Sequence, residues 1–389
     1  MPIPVRKRDD DTSTTIAEAL SEHGVTRRQF LQFCTAMSAT LALPGLFVPR
    51  IASALEQAKR PTLVWMEFQE CCGNIEAFLR AANPTVSDII LDIISLDYNE
   101  TIMAASGQQA HEALAKVVKE QKGSYIAAVE GSIPLKQGGI HCCIGGRTAL
   151  ELAREVCGNA LTTIAVGSCA AFGGVPAASP NPTGAVGVKD AVSGIKLINL
   201  PGCPANTDNI TATLVHYLVF NKLPETDRFG RPLFAYGKRI HDNCERRSHF
   251  DSGQYVEQWG DMAHRQGHCL YKMGCKGPET FHNCPSQRYN QRVSWPVAAG
   301  HGCVGCSEPQ FWDTMAPYYH RLPHVPGFGI EHTADKIGAG LAIGTAAAFA
   351  AHGVISALRK DDKSEGTRGE KHGEDRDRPD NADRRPPED

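Results

Sequence analysis

Six cysteines fall between His241 and Cys306, in the order His241-x2-Cys244, Cys269-x5-Cys275, Cys284 and Cys303-x2-Cys306. Thiolates are soft ligands, and grouped at this density they are what iron–sulfur clusters require. The series is long enough for two clusters, and two clusters side by side imply electron transfer. Three more cysteines each follow a short β-rich run. The runs lead into Gln69-Glu70-Cys71-Cys72-Gly73-Asn74, Gly167-Ser168-Cys169-Ala170 and Pro201-Gly202-Cys203-Pro204, and a further run ends at Glu130-Gly131. In open α/β sheets ligands sit in the crevice at the carboxyl ends of the strands. Cys71, Cys169 and Cys203 can therefore converge on one further cluster, with the neighbouring glycines letting backbone N–H groups come close to it. A lone cysteine after a strand is usually a small buried residue; three at equivalent positions are not explained that way.

The elements that must present these residues are legible as an alternation. Strand-like runs lie at 62–68, 89–96, 125–129, 161–166 and 195–200, and helical patterns at 75–82, 111–122 and 148–156. Such alternation predicts a parallel sheet with helices on both faces. There is no internal repeat. The chain has 389 residues, 42% of them hydrophobic, and a formal net charge of −3, so it can bury a large core and has no basic excess for nucleic acid. Fourteen cysteines in an exported protein would ordinarily suggest disulfides, but that solution belongs to short, core-poor chains.

Both ends carry membrane signals. Arg27 and Arg28 precede an apolar run over 33–48, and Ala52-Ser53-Ala54 supplies a small-residue cleavage site, so the mature chain is expected to begin at Leu55. Twin-arginine export carries proteins already folded, which suits clusters inserted before export and again argues against disulfides. The run over 337–358 holds no Asp, Glu, Lys or Arg, is long enough to span a bilayer, and has small residues at Gly338, Gly340 and Gly344 suited to helix packing. Arg359, Lys360 and Lys363 follow it, which places the C-terminus in the cytoplasm and the body of the protein outside. His352 is the ionisable group of the span, and a polar helix contact is its commoner role, with a haem partner the alternative. The charged tail from Lys360 has the composition of a disordered segment.

These residues together resemble the small subunit of membrane-bound, twin-arginine-exported NiFe hydrogenases. The likeness runs from Arg27 to the membrane helix. It rests on the signal motif, Glu70-Cys71, Val129-Glu130-Gly131, Gly167-Ser168-Cys169, Pro201-Gly202-Cys203-Pro204, Arg239-Ile240-His241-Asp242-x-Cys244, the stretch from Leu270 to Gly277, and Gly300-His301-Gly302-Cys303-x2-Cys306. The resemblance implies two 4Fe–4S clusters and one 3Fe–4S cluster. It implies a distal 4Fe–4S cluster on His241, Cys244, Cys269 and Cys275, and a medial 3Fe–4S cluster on Cys284, Cys303 and Cys306. Pro296 lies between Cys284 and Cys303, where a fourth cysteine would complete a cubane. It implies a proximal 4Fe–4S cluster on Cys71, Cys169 and Cys203. At the fourth proximal corner the chain departs from the family pattern Glu-Cys-x-Gly-Cys: Asn74 stands at the cysteine position, and Cys72, the Asn74 amide oxygen or another atom completes the set. Cys142, Cys143 and Cys157 are expected to be core thiols. Oxygen-tolerant relatives carry two extra proximal cysteines, and this chain has Gly73 and Gly174 there, so a six-cysteine cluster is not expected.

The implied reaction is H2 ⇌ 2 H⁺ + 2 e⁻. The Ni–Fe centre of the family needs two Cys-x2-Cys pairs, and here Cys303/Cys306 is better used by the medial cluster, so that centre is expected on a separate large subunit. This chain then relays electrons from proximal to medial to distal cluster and on to a cytochrome b-like or other membrane acceptor, on the periplasmic face. A stand-alone exported iron–sulfur carrier and a disulfide-rich anchored binding protein are the competing readings. The expected organisation is a signal peptide over 1–54, a flavodoxin-like domain bearing the proximal cluster over 55–225, and an irregular two-cluster domain over 226–325. A linker and transmembrane helix over 326–359 and a charged tail over 360–389 complete it.

Overall fold

A computed structural model describes residues 15–22, 24–81, 93–320 and 330–365. The chain divides into two compact units, Met1–His324 and Val325–Asp389. The first is built on five parallel strands, β1 (Thr62–Glu67), β2 (Ser95–Asn99), β3 (Ile126–Glu130), β4 (Thr162–Val166) and β5 (Leu197–Leu200), in the spatial order β2-β1-β3-β4-β5. That is the flavodoxin-like order of a doubly wound sheet. Val64, Trp65, Met66, Ala127, Val129, Ala165 and Val166 are all buried, as expected of strands covered on both faces. The register is what matters for function. Glu67 pairs with Glu130, Glu130 with Val166, and Val166 with Leu200, so these four strands end on one line and release their loops at one edge.

The helices α1 (Ile16–Glu22), α2 (Arg27–Thr40), α3 (Val48–Gln57), α4 (Gly73–Leu79), α5 (Gly107–Glu120), α6 (Ala149–Asn159), α7 (Gly167–Phe172) and α8 (Thr207–Phe220) cover the sheet. α6 begins in a capping box, Thr148 accepting from the Glu151 N–H while the Glu151 carboxylate accepts from the Thr148 N–H. The arginine pair opens α2 behind a second such box, Thr26 with Gln29. The expected signal segment thus forms α1–α3, whose Phe33, Met37, Ile51 and Leu55 join the same buried cluster as Leu214 and Val215 of α8.

Strand and helix identities follow the alternation with shifted bounds. The run expected over 89–96 is the largest shift. Residues 82–92 lie outside the described residues, and the strand there is Ser95–Asn99. α8 carries no amphipathic signal because it is apolar on several sides: Ile210, Ala212, Leu214 and Val215 are buried together with Thr211 and Thr213. The region from Leu233 to Thr314 has only short helical turns, such as Leu233–Tyr236, Arg247–Asp251 and Cys284–Gln287, around a small core of Ile240, Val256, Leu270, Trp295 and Val297 that includes Cys284 and Cys303. A buried ion triple ties it to the sheet domain. Arg231, almost wholly buried, reaches Asp227 at 2.8 Å and Glu308 at 2.9 Å.

In the second unit one helix runs Ile330–Glu365, continuing six residues into the tail expected to be disordered; residues 366–389 lie outside the described residues. Its stretch Gly338–Ser356 is long and apolar enough to cross a membrane, and its side chains are exposed. His352 Nδ1 lies 3.3 Å from Ser356 Oγ one turn on, a local polar contact within the helix.

Candidate iron–sulfur centres

The strand-end edge carries the first site. Cys71 and Cys203 are exposed and Cys169 is half-buried. Burial lifts the Cys169 thiol to about 12, and the negative charge that Cys203 and Cys71 would carry nearby adds to the rise. Cys203 is raised likewise, by burial and then by Cys71. Two glycines leave the space. Gly174, at φ +62°, backs directly onto Cys169, and Gly167, at φ +85°, has no room for a Cβ because the Asn74 carboxamide lies there. A side chain at either would be both strained and blocked.

Asn74 and Cys72 differ sharply. Asn74 is buried: its backbone N–H and its Nδ2 both donate to Glu130 Oε1 at 3.0 Å, and its Oδ1 accepts from the Ala205 N–H at 2.8 Å. Cys72 is exposed, its thiol donates to Glu70 Oε1 at 3.3 Å, and its backbone N–H donates to the same carboxylate. The Glu70 hydrogen bond, with its charge, pushes the Cys72 thiol up to about 11. Glu130 is fully buried, also accepts from Trp65 Nε1 at 3.3 Å, and is held above the usual carboxylate range by burial and by Glu70. Cys142 and Cys157, expected as core thiols, pack in the sheet cluster, whereas Cys143 is exposed on a small hairpin.

Cys284, Cys303 and Cys306 line one cavity of about 490 Å³, together with Cys203, Tyr289, Trp295 and Pro296. This cavity therefore joins the strand-end site to the three cysteines of the irregular region. Ser168 links the two in the backbone: its N–H donates to Gly202 O at 2.9 Å, its hydroxyl accepts from the Gly202 N–H at 3.0 Å, and the same hydroxyl donates to Cys306 O. Around the sulfurs, the Gly305 N–H donates to Cys303 Sγ at 3.3 Å, Thr280 Oγ1 lies 3.6 Å from Cys303 Sγ, and His282 Nδ1 lies 3.1 Å from Cys284 Sγ. Thr280 and His282 are contacts that spacing does not reveal; the only trace in the sequence is the nearness of His282 to Cys284.

His241, Cys244, Cys269 and Cys275 line a separate cavity with Arg246, Leu270 and Tyr271. His241 is buried edge-on against Phe250, ring centroids 4.4 Å apart. Burial, then Arg247, lowers its imidazole to about 4, so it is neutral with a ring nitrogen lone pair to offer. The Arg246 N–H donates to Cys244 Sγ at 3.4 Å, and the Cys303 N–H to Cys275 Sγ at 3.3 Å. The last bond couples this site to the neighbouring one through a single residue.

The donor sets fit iron–sulfur clusters. Burial lifts Cys244 to about 11 and Cys269 to about 12, and in each case Cys275 adds to the rise. Thiols packed this way resist becoming thiolates together unless a cation neutralises them, and iron binding would expel their protons. No disulfide forms among the described cysteines. Of the ten residues expected as ligands, His241, Cys244, Cys269 and Cys275 share one cavity, and Cys203 shares another with Cys284, Cys303 and Cys306.

Comparison with known proteins identifies related chains. The family profile for the C-terminal part of the NiFe/NiFeSe hydrogenase small subunit matches residues 236–319, and that of the NADH ubiquinone oxidoreductase 20 Kd subunit matches residues 71–217. The chain is 46% identical over 346 residues to the uptake hydrogenase small subunit of Azotobacter vinelandii, covering 89% of this chain and 96% of that one. It is 46% identical over 350 residues to the quinone-reactive Ni/Fe-hydrogenase small chain of Wolinella succinogenes, covering 88% and 99%. Among solved structures, the Ni-Fe-Se hydrogenase from Desulfomicrobium baculatum superposes with a TM-score of 0.64 at 33% identity, covering 68% of this chain and 100% of that chain.

Proposed function

The chain belongs to the small subunits of NiFe hydrogenases, and on that premise we propose that its ten sulfur and imidazole ligands hold three clusters in series. Being a hydrogenase small subunit, it is the electron-transfer half of an enzyme whose Ni–Fe site lies on a separate large subunit. In our reading Cys71, Cys169 and Cys203 hold a proximal 4Fe–4S cluster, Cys284, Cys303 and Cys306 a medial 3Fe–4S cluster, and His241, Cys244, Cys269 and Cys275 a distal 4Fe–4S cluster. Asn74 rather than Cys72 occupies the fourth proximal corner. The support is that Asn74 is buried and fixed between Glu130 and Ala205, whereas the Cys72 thiol is exposed and engaged with Glu70. Its amide oxygen retains a second lone pair beyond the one the Ala205 N–H uses.

Bound iron–sulfur clusters supply one-electron carriers at fixed positions. The chain's own residues give those positions an order. Cys71 and Cys203 are exposed, whereas Cys269, Cys284 and Cys303 are buried, so the proximal face is the one still open to a partner. Val175 is large, exposed and apolar, and it follows Gly174 beside Cys169. An exposed apolar side chain beside this thiol group suits cover by the large subunit. The carrying observation is that one cavity joins Cys203 to Cys284, Cys303 and Cys306, while Cys275 accepts from the Cys303 N–H, giving a continuous path through three sites. His241 carries no charge where a thiolate would carry one, so the distal potential is raised relative to an all-cysteine set. The helix Ile330–Glu365 anchors the subunit in the membrane with its body on the periplasmic side, and the acceptor is a cytochrome b-like or quinone-linked membrane subunit.

EPR with iron and acid-labile sulfide determination on the purified heterodimer tests this. Two 4Fe–4S signals and one 3Fe–4S signal are expected. Loss of the 3Fe–4S signal alone in Cys284→Ser is expected too. A heterodimer lacking acid-labile sulfide, or one whose Cys284→Ser variant loses a 4Fe–4S signal instead, overturns the assignment.

A further inference from the structure

His282 is a histidine that the ligand assignment leaves over. It is 2% exposed, and its ring stands edge-on to Tyr236 with centroids 4.9 Å apart. Its position is fixed from several sides. The His282 N–H donates to Lys238 O at 3.2 Å, the Phe281 N–H to Glu308 Oε1 at 2.7 Å, and the Ile240 N–H to Thr280 O at 2.8 Å. Tyr236 is itself held by its hydroxyl, which donates to Pro201 O at 2.7 Å. The ring is thus clamped with Nδ1 3.1 Å from Cys284 Sγ, while Nε2 is buried with no hydrogen-bond partner among the described residues.

That asymmetry decides the tautomer. A neutral imidazole has one N–H and one lone pair. If the hydrogen sat on Nε2, a donor would be orphaned in the interior and the Nδ1 lone pair would face the sulfur lone pairs. With the hydrogen on Nδ1, the donor is satisfied by sulfur and only an acceptor is left over, the cheaper of the two arrangements.

We propose that His282, through an Nδ1–H···Sγ hydrogen bond to Cys284, is a positioning residue that raises the reduction potential of the medial cluster. This rests on the reading that Cys284 ligates that cluster. A hydrogen bond to a ligating sulfur draws electron density from it and stabilises the reduced cluster, and such bonds are among the determinants of iron–sulfur potentials. His282 also orients the Cys284 side chain, because the bond is made from a ring that cannot move. Tyr289 Oη, 3.9 Å from the same sulfur, is the weaker contact. Cys303 Sγ accepts from the Gly305 backbone N–H and lies 3.6 Å from Thr280 Oγ1, whose own hydroxyl donates to Lys276 O.

The test is an EPR-monitored redox titration of the medial signal in the purified heterodimer, comparing the wild type with His282→Phe and His282→Asn. Phe keeps a ring against Tyr236 and removes the donor; Asn can return an N–H near the Nδ1 position. The expected result is a lower midpoint potential in His282→Phe at unchanged iron content, restored in part by His282→Asn. A second measurement needs no variant: hyperfine spectroscopy of the wild-type 3Fe–4S state before and after exchange into D2O, with 15N-labelled histidine. An exchangeable proton and a histidine nitrogen coupled to the medial cluster are expected. An unchanged potential in an iron-replete His282→Phe overturns the proposal, and so does a wild-type medial signal with no such couplings, which decides the matter if the Phe variant fails to assemble. A wild type with no medial signal at all instead overturns the cluster assignment on which the proposal rests.

Discussion

Replacing Asn74 with alanine is the perturbation that separates the two candidates for the proximal corner. In the native fold the carboxamide makes two hydrogen bonds, donating to Glu130 Oε1 at 3.0 Å and accepting from the Ala205 N–H at 2.8 Å. Ala205 is 1% exposed, so Asn74→Ala leaves a buried N–H without its acceptor, a loss of about 1–3 kcal/mol. Loss of the bond to Glu130 adds about 1 kcal/mol more if that carboxyl is neutral, and more if it is ionised. The expected destabilisation is therefore about 2–4 kcal/mol. The backbone N–H of residue 74 still donates to Glu130 Oε1, so the loop is not released altogether. Cys72→Ala removes an exposed thiol whose partner is Glu70, and should lie within about 0.5 kcal/mol of wild type. The assay is EPR of the reduced proximal cluster with iron content, alongside the unfolding midpoint of the heterodimer. Asn74→Ala is expected to change the proximal spectrum and lower the midpoint, and Cys72→Ala to do neither. The reverse pattern refutes the reasoning and makes Cys72 the ligand.

Other perturbations test separate parts of the molecule. His241→Cys should keep the distal cluster but slow electron exit, seen as slower turnover with the membrane acceptor than with a soluble dye; unchanged turnover with both would count against a role for the imidazole in exit. Arg231→Met breaks the buried triple with Asp227 and Glu308 and should cost about 3–5 kcal/mol, read as a lowered thermal midpoint, because two acceptors lose their cation. Glu100 gives a pH signature: burial lifts its carboxyl from 4.5 to about 8, while it accepts from the Glu67 N–H at 3.1 Å and from Tyr98 Oη at 3.3 Å. Between those values the folded state holds a proton the unfolded chain has lost, so stability falls as pH rises through the window, by at most about 1.4 kcal/mol per unit. Glu100→Gln should flatten that slope in denaturant titrations at successive pH values, and an unchanged slope would show that the carboxyl is already ionised in the fold.

Much of the fold was legible because its signals are local. Trp65 and Val129 sit in short β-rich runs, and each run is followed by glycine or cysteine where a parallel strand must turn. α8 escaped because a helix apolar on several sides has no periodic stripe, and the strand near residue 95 was placed too early because the apolar run extends ahead of it. In the C-terminal region the cysteines were legible while the backbone was not: turns of four or five residues leave no periodicity to detect.

By itself the sequence determined the inventory of candidate ligands, since soft sulfur groups and a histidine in fixed order can be counted along the chain. It also determined the strand–loop alternation that brings Cys71, Cys169 and Cys203 to one edge, and the apolar run near the C-terminus. Only the tertiary structure decided what surrounds each ligand. It turned Cys72 toward Glu70 and Asn74 inward to Glu130 and Ala205, although the two are separated by one residue. It set His282 against Cys284, and it let Ser168 tie the strand-end loops to Cys306 across more than a hundred residues. The physical reason is that ligand identity is a property of a side chain, whereas burial, hydrogen-bond partners and the resulting shifts in acidity belong to contacts between segments distant in the chain.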